Sequence, residues 1–271
     1  MQAPVSVVIP CYCCTKTIGR AVQSIFQQSL PPVEVILVND ASPDHTLEEL
    51  FALQKQYGKE FIKVVNLLQN KGPGESRNQG RAIASQPYIA FLDADDGWHP
   101  DKLKIQYSWV EAHPDVSLSG HPILVKKPES VPPYTPISEP VQTHFVSRNE
   151  LLISCKVLTS SWLFKASDVQ NYTEITRHSE DYLLILKTLF DDRKIAFLDA
   201  PLAYFFKPEF AKEGMSGDLW AMEKAQLKAY QIIWRSRHIS TVELYFYWIW
   251  SMIKYLRRVV IFWLRTSKLI H

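Results

Sequence analysis

Apolar and polar positions fall into two alternating periods along the first hundred residues. Residues 5–10 (Val-Ser-Val-Val-Ile-Pro) are a short apolar run stopped by proline, the pattern of a buried parallel strand. Over 16–28, Ile18, Val22, Ile25 and Phe26 recur at helical spacing. Residues 33–39 predict a second strand, followed by a polar turn at 40–44 and a helix over 46–57. A third strand over 62–68, a loop at 70–74 and a helix over 75–85 come next. A fourth strand, 88–92, ends in Asp93-Ala-Asp-Asp96. The order β-α-β-α-β-α-β predicts a Rossmann-like α/β fold, with a mostly parallel sheet flanked by helices.

The pattern loosens after residue 100. A helix is expected over 101–113 and a strand near 117–126. Residues 128–140 hold five prolines without a period, which predicts a surface loop. Strand-like runs follow at 157–165 and 195–206, with a largely buried helix over 180–191. A mixed loop at 207–217 leads into helices over about 218–236 and 241–267.

Composition adds bounds rather than a function. The 271 residues suit one large α/β domain or two closely joined ones. An apolar fraction of 46% and a charged fraction of 21% argue against disorder. The net charge of +2 gives no case for nucleic-acid binding, but it hides a split. Residues 241–271 carry five bases and one acid, so they are +4 and residues 1–240 are −2. The N-terminal residues lack a basic stretch and a long apolar stretch, which predicts no signal peptide. Cys11, Cys13 and Cys14 crowd together and Cys155 stands apart, so a reducing compartment is expected rather than a disulfide framework. Cys11 and Cys14 form a C-x-x-C, yet zinc needs about four ligands and only Cys155 and scattered histidines remain to complete a set. Small side chains closing the first strand are the preferred reading.

Ligands of open α/β sheets bind beyond the carboxyl ends of the strands. Polar residues collect there: Pro10 and Tyr12, Asp40, Asn70, and the acidic cluster of Asp93, Asp95 and Asp96. A lone Asp after a strand is usually a cap or turn residue; four such strand ends together imply one cleft. Three carboxylates in four residues repel each other unless a cation or solvent relieves them. Hard oxygen ligands on a short turn suit Mg2+ or Mn2+. Arg77 adds a cation able to reach phosphate or these acids. The dinucleotide, P-loop and nucleophile-elbow motifs are all missing.

Four blocks, Val-Ser-Val-Val-Ile-Pro-Cys-Tyr12, Val-Ile-Leu-Val-Asn-Asp-Ala-Ser42, Asn70-Lys-Gly-Pro-Gly-Glu-Ser-Arg-Asn-Gln-Gly80 and Phe91-Leu-Asp-Ala-Asp-Asp-Gly-Trp-His-Pro-Asp-Lys-Leu103, resemble glycosyltransferase family 2 in order and spacing. The resemblance is dense over 5–105 and thinner over 150–217. It implies a GT-A fold and transfer of a sugar from a nucleotide diphosphate with inversion. By position, Pro10, Tyr12 and Asp40 look like the nucleoside-binding set, with Asn70 and Arg77 in the rest of the nucleotide pocket. Asp93 and Asp95 resemble the D-x-D pair, with Asp95 as the direct ligand of Mg2+ or Mn2+. Cys13 stands where the family usually has Asn. Ser179-Glu-Asp-Tyr182 resembles the Glu-Asp block, which makes Asp181 look like the catalytic base and Glu180 its neighbour. Acids in a first helical turn would explain the same residues without function. Trp162 is expected either to line the acceptor site or to sit in the core, and Lys207 and Ser216 fall in a segment resembling a loop over the donor.

The division implied is a catalytic domain over 1–217, with a donor half at 1–105 and an acceptor half at 106–217, and a helical segment over 218–271. On a helical wheel Lys254, Arg257, Arg258, Arg265 and Lys268 fall within roughly 100° of one another. Met252, Leu256, Val259, Val260 and Trp263 lie opposite. This amphipathic extension is too short in apolar residues to span a bilayer, which takes about 20. It suits an anionic membrane surface contacted through 241–268, or a face packed on its own domain or in a homo-oligomer.

The expected activity is therefore a metal-dependent inverting glycosyltransferase. A UDP-sugar is the expected donor and a saccharide or polyprenyl-linked saccharide the acceptor, at the cytoplasmic face of the membrane. A nucleotidyltransferase would need a glycine-rich basic loop that 5–14 does not have. A non-catalytic scaffold would not need Asp93, Asp95 and Asp181.

Overall fold

β1 (Ala3–Cys11) is buried along nearly its whole length because both of its faces are apolar. The computed structural model describes residues 1–128, 130, 132–171, 179–206 and 218–267, with backbone alone at 263 and 265–267. After β1 come α1 (Ile18–Phe26), β2 (Pro32–Asn39), α2 (Thr46–Tyr57), β3 (Ile62–Asn66), α3 (Pro73–Ile83) and β4 (Tyr88–Phe91). β5 (Asp96–Trp98), α4 (Lys102–Glu111), β6 (Val116–Gly120), β7 (Ile123–Lys126), β8 (Thr143–Phe145) and α5 (Arg148–Ile153) follow. The rest is β9 (Leu163–Lys165), α6 (Glu180–Phe190), β10 (Lys194–Leu198), β11 (Ala203–Phe206), α7 (Leu219–Arg235) and α8 (Thr241–Ser267).

Eight strands form one sheet in the order β3-β2-β1-β4-β9-β6-β10-β8. β1 runs parallel to β2 and β4, β2 to β3, and β6 to β10, while β9 and β8 run antiparallel to their neighbours. Side chains alternate along each strand, so the sheet divides the core in two. Val8, Ile36 and Val38 join one apolar cluster, and Val7, Ile9, Val35 and Leu37 join the other. The first cluster also takes Leu183–Leu186 from α6, Tyr230 and Ile233 from α7, and Leu244 and Tyr247 from α8. A mostly parallel α/β sheet with flanking helices is therefore the fold, as the strand and helix periods predict.

α3 lies very close to the sheet. A Cβ on Gly80 would stand 2.3 Å from Val8 Cγ1 and 3.2 Å from Val38 Cγ2. Gly80→Ala is expected to destabilise by about 1–3 kcal/mol through overpacking. Urea unfolding reads this directly, and an unchanged midpoint would mean that α3 can lift off the sheet.

Several expected boundaries are corrected. The strand near 117–126 is two strands in different sheets, β6 in the large one and β7 in a small sheet ordered β5-β11-β7. The run at 195–206 likewise splits into β10 and β11. Pro122 and Pro201 fall at the breaks, where a residue without an N–H cannot continue a ladder. In the run 157–165 only β9 is strand, and Thr159–Ser161 form a single 3₁₀ turn. β5, β8 and α5 are three to six residues long, too short for periodicity to register.

α8 begins with a reciprocal cap: Glu243 N donates to Ser240 Oγ at 3.2 Å, and Ser240 N to Glu243 Oε2 at 2.7 Å. The predicted basic stripe does not form one outward arc. Lys254 Nζ donates to the Ile153 carbonyl at 2.7 Å, and Arg258 pairs at 2.7 Å with the fully buried Glu223 of α7. Both positions continue the buried face set by Leu244, Tyr247 and Ser251. Arg257 is exposed, the Arg265 side chain and all of Lys268 lie outside the described residues, and so does the Trp263 side chain.

Candidate active site

The chain moves outward from β1 to β2 and β3, then returns to β4 on the other side of β1. Such a reversal opens a crevice at the carboxyl ends of the strands. The ends of β1, β2 and β4 carry Tyr12, Asp40 and Asp93 into it. Pro10 is half-buried, Tyr12 is exposed, and Asn70 is exposed on the loop before α3. Asp40 is buried at the end of β2, where its two oxygens accept the backbone N–H groups of Lys71 and Gly72, each at 2.8 Å. Asn70 Nδ2 donates to the Asp40 carbonyl at 3.3 Å. Asp40 thus ties the 70–72 loop to the sheet, and since a carboxylate has about four acceptor positions, roughly two remain for a ligand. Cys13 has φ +49°, a left-handed conformation in which Asn is favoured, and its N–H donates to Ser42 Oγ at 3.2 Å.

The acidic turn is clamped between β4 and β5, and its members point to different partners. Asp93 accepts from Arg77 Nη2 at 2.7 Å. Asp96 is buried and accepts from Ser160 Oγ at 2.5 Å, while the Asp93 N–H donates to the same hydroxyl at 3.2 Å. Asp95 is exposed at the tip, and its carbonyl accepts from Arg20 Nη2 at 2.8 Å. Arg20 also lies over the Phe206 ring at 3.8 Å, which ties the turn to β11.

Arg77 joins the two halves of the cleft. Its guanidinium is buried, with Asp93 on one side and Glu180 Oε1 at 3.9 Å on the other. Glu180 opens α6 and packs against the first turn of α3, where a Cβ on Gly74 would come within 2.7 Å of its Cδ. Glycine there lets the carboxylate approach the positive end of α3. Asp181 follows, half-buried, accepting from the Tyr182 N–H at 2.8 Å and from Thr159 Oγ1 at 3.4 Å. Burial pushes the Asp181 carboxyl above its usual pKa, the nearby Arg77 charge opposes that rise, and Asp93 adds to it. The arrangement therefore brings Asp93, Arg77, Glu180 and Asp181 together from α3, β4 and α6.

Trp162 is fully buried; its indole donates to the Val157 carbonyl at 3.1 Å and meets Phe91 and Phe164 edge to face. It belongs to the core rather than to the cleft wall. Lys207 and Ser216 lie outside the described residues. The sequence reading overlooked the turn preceding Trp162, where Thr159 reaches Asp181 and Ser160 holds the acidic turn. Its signal was there: three consecutive hydroxyls in an apolar stretch have to find partners when buried.

Among the described residues no three His, Cys, Asp or Glu side chains gather as a metal cage. The donor set fits a hard divalent ion held by one or two carboxylates and completed by phosphate oxygens and water. It does not fit structural zinc: Cys11 is buried with its thiol pushed well up by desolvation, and Cys14 lies beside it.

Known proteins resemble much of the chain. Glycosyl transferase family 2 matches residues 6–166. The amylovoran biosynthesis glycosyltransferase AmsB of Erwinia amylovora is 36% identical over 107 residues, which are 39% of this chain and 35% of that protein. The UDP-Glc:alpha-D-GlcNAc-diphosphoundecaprenol beta-1,3-glucosyltransferase WfgD of Escherichia coli is 26% identical over 188 residues, 69% of this chain and 70% of that protein. The chain thus spans about a third of the first of these relatives and more of the second. The crystal structure of S. aureus TarS 1–349 in complex with UDP-GlcNAc shares the fold, with a TM-score of 0.66 and 23% identity over 86% of this chain and 66% of that one. With the family match covering more than half of the sequence, and the matched blocks forming the strand ends of the crevice, the chain belongs to glycosyl transferase family 2.

Proposed function

We propose that the chain is an inverting glycosyltransferase that moves a sugar from a UDP-sugar to a hydroxyl of a saccharide or lipid-linked saccharide. One observation carries the reading: Asp93 and Glu180, from the two halves of the chain, meet the buried guanidinium of Arg77 at the carboxyl end of the sheet, and Asp181 is the next residue of α6. Residues 1–105 then serve the donor, 106–217 the acceptor, and 218–271 form the helical segment.

In this reading Pro10, Tyr12, Asp40 and Asn70 receive the nucleoside and Arg77 stands toward the diphosphate. Asp95 and Asp93 would hold Mg2+ or Mn2+, which when bound offsets charge on the leaving diphosphate. Asp181 takes the proton of the attacking hydroxyl, and the burial that raises its pKa increases its affinity for that proton. Thr159 and the Tyr182 N–H hold the carboxylate in place. The UDP-Glc and the diphosphoundecaprenol-linked acceptor in the name of WfgD, and UDP-GlcNAc in the TarS complex, support this donor and acceptor class.

A donor screen tests the proposal. With Mg2+ or Mn2+ present, UDP release from one UDP-sugar is expected to stand well above that from GDP- and dTDP-sugars. Chelation by EDTA is expected to remove it, and Asp95→Ala to raise the metal concentration required. Pyrophosphate release from a nucleoside triphosphate, with no UDP release, would instead identify a nucleotidyltransferase.

A further inference from the structure

α8 has two long and opposite faces. Leu244, Tyr247 and Ser251 are buried against the body, and Lys254 and Arg258 extend that face with polar contacts. On the other side Val242, Phe246, Ile249, Ile253, Leu256 and Val260 are all exposed, Val242 at 79% and Ile249 at 63%. They follow one another at alternating steps of four and three residues, so they share an arc about 80° wide and roughly 30 Å long. The buried polar contacts of α8 therefore turn its apolar side outward, the reverse of what a surface helix normally presents. A continuous exposed apolar face marks an interaction surface.

Charge and width decide between occupants. Arg257 stands exposed at the edge of the stripe. The single acid of 241–271, Glu243, is taken up by Arg148 at 2.6 Å and by the Ser240 N–H. Two helices pairing through such a seam are usually flanked by charges that shield and pair across it. Here the flanks are Tyr245, Met252 and Val259 on one side and Trp250 on the other, with no acid to meet a partner's Arg257. A wide apolar face with aromatic flanks and a basic edge fits the interface of an anionic bilayer instead. Among the described residues no helix is long and apolar enough to cross a membrane, so a bilayer-bound α8 would lie in the interface plane.

The position of α8 adds a direction. Trp250 Nε1 and Lys254 Nζ both donate to the Ile153 carbonyl, at 3.3 and 2.7 Å. The chain continues from Ile153 to Thr159, whose hydroxyl donates to Asp181 at 3.4 Å. The outward stripe is thus carried on the same segment that reaches the acceptor end of the cleft. We propose that the outward face of α8 docks on an anionic lipid bilayer through its apolar stripe, with Arg257 at the headgroups, and sets the Asp181 side of the cleft beside that surface. The docking stands on α8 alone; delivery of a lipid-linked acceptor to Asp181 rests on the proposed function.

The test uses the full chain and vesicles of phosphatidylglycerol mixed with phosphatidylcholine. The protein is expected to co-sediment with them. Each outward aliphatic side chain removed from the interface lowers partition by roughly tenfold. The combined Ile249→Gln, Ile253→Gln and Leu256→Gln variant is therefore expected to lose at least a hundredfold, with its melting curve and UDP binding unchanged. Arg257→Glu is expected to weaken binding by about tenfold on the anionic vesicles and little on neutral ones. Failure of the wild-type chain to partition overturns the proposal. So does a dimer in sedimentation equilibrium that the triple variant breaks, because the face then belongs to a second copy. Vesicle binding lost in the triple variant, with no UDP-sugar turned over by any form, supports the docking face while sinking the glycosyltransferase reading.

Discussion

Asp181→Asn is expected to lower turnover by about 10²–10⁴-fold while leaving UDP binding unchanged. The amide keeps the shape of the carboxylate but cannot take a proton from the acceptor. Its neighbours stay in place, because the amide oxygen accepts from the Tyr182 N–H and the amide nitrogen can donate to the Thr159 hydroxyl, which accepts as well as donates. The wild-type pH profile carries the same signature. Burial raises the pKa of Asp181, and only its ionised form is a base, so the acid limb of kcat is expected above the usual carboxylate range. Initial rates of UDP release across pH, with calorimetry for UDP, measure both effects. A variant that keeps more than half of wild-type turnover would remove Asp181 from the base role.

Arg77→Met is expected to cost about 3 kcal/mol, the lower end of what removing one partner of a buried ion pair costs. The lower end applies because Asp93, the closer partner, is 36% exposed and partly screened by water. Glu180 is nearly enclosed and would lose the guanidinium that stands 3.9 Å from it. The guanidinium also holds down the pKa of Asp181, so its loss lets that pKa rise further. The sign follows from linkage: a carboxyl whose pKa is higher in the folded chain than in the unfolded one binds more protons when folded, so stability grows as the pH falls. The variant is therefore expected to recover stability toward acid relative to wild type, and the acid limb of any remaining activity should move to higher pH. Urea unfolding at several pH values checks this, and a variant as stable as wild type at pH 8 would show that Arg77 is not the cation joining the two halves.

The first four strands and three helices were legible because each is a short buried run or an amphipathic helix closed by a turn signal. Val7 and Val8 point to opposite sides of the sheet and enter different cores, as a continuous apolar run implies. The second half was less legible because its strands are short. Pro122 marks the break within 117–126 locally, but which sheet each end joins depends on distant strands that no local pattern records. The Thr159–Ser161 turn escaped for a related reason: its value lies in Asp93, Asp96 and Asp181, distant in sequence.

The helical segment separates local from tertiary information most clearly. Composition placed five bases and eight aromatic residues in 241–271, and periodicity made it a helix. Neither told which side faces the body, because a helix with cationic and apolar arcs can be docked by either. Glu223, buried on α7, drew in Arg258, and the Ile153 carbonyl drew in Lys254, since a buried acid and a buried carbonyl both need donors. Likewise, residue types and spacing marked Asp40, Arg77, Asp93 and Asp181 as chemistry at strand and helix ends. Only the packing of α3 on β1 and β2, with Glu180 of α6 against its first turn, decided that Arg77 lies between Asp93 and Glu180. The sequence by itself determined the elements and their chemistry, because those depend on near neighbours; the tertiary structure decided pairing and orientation, because burial makes distant groups depend on one another.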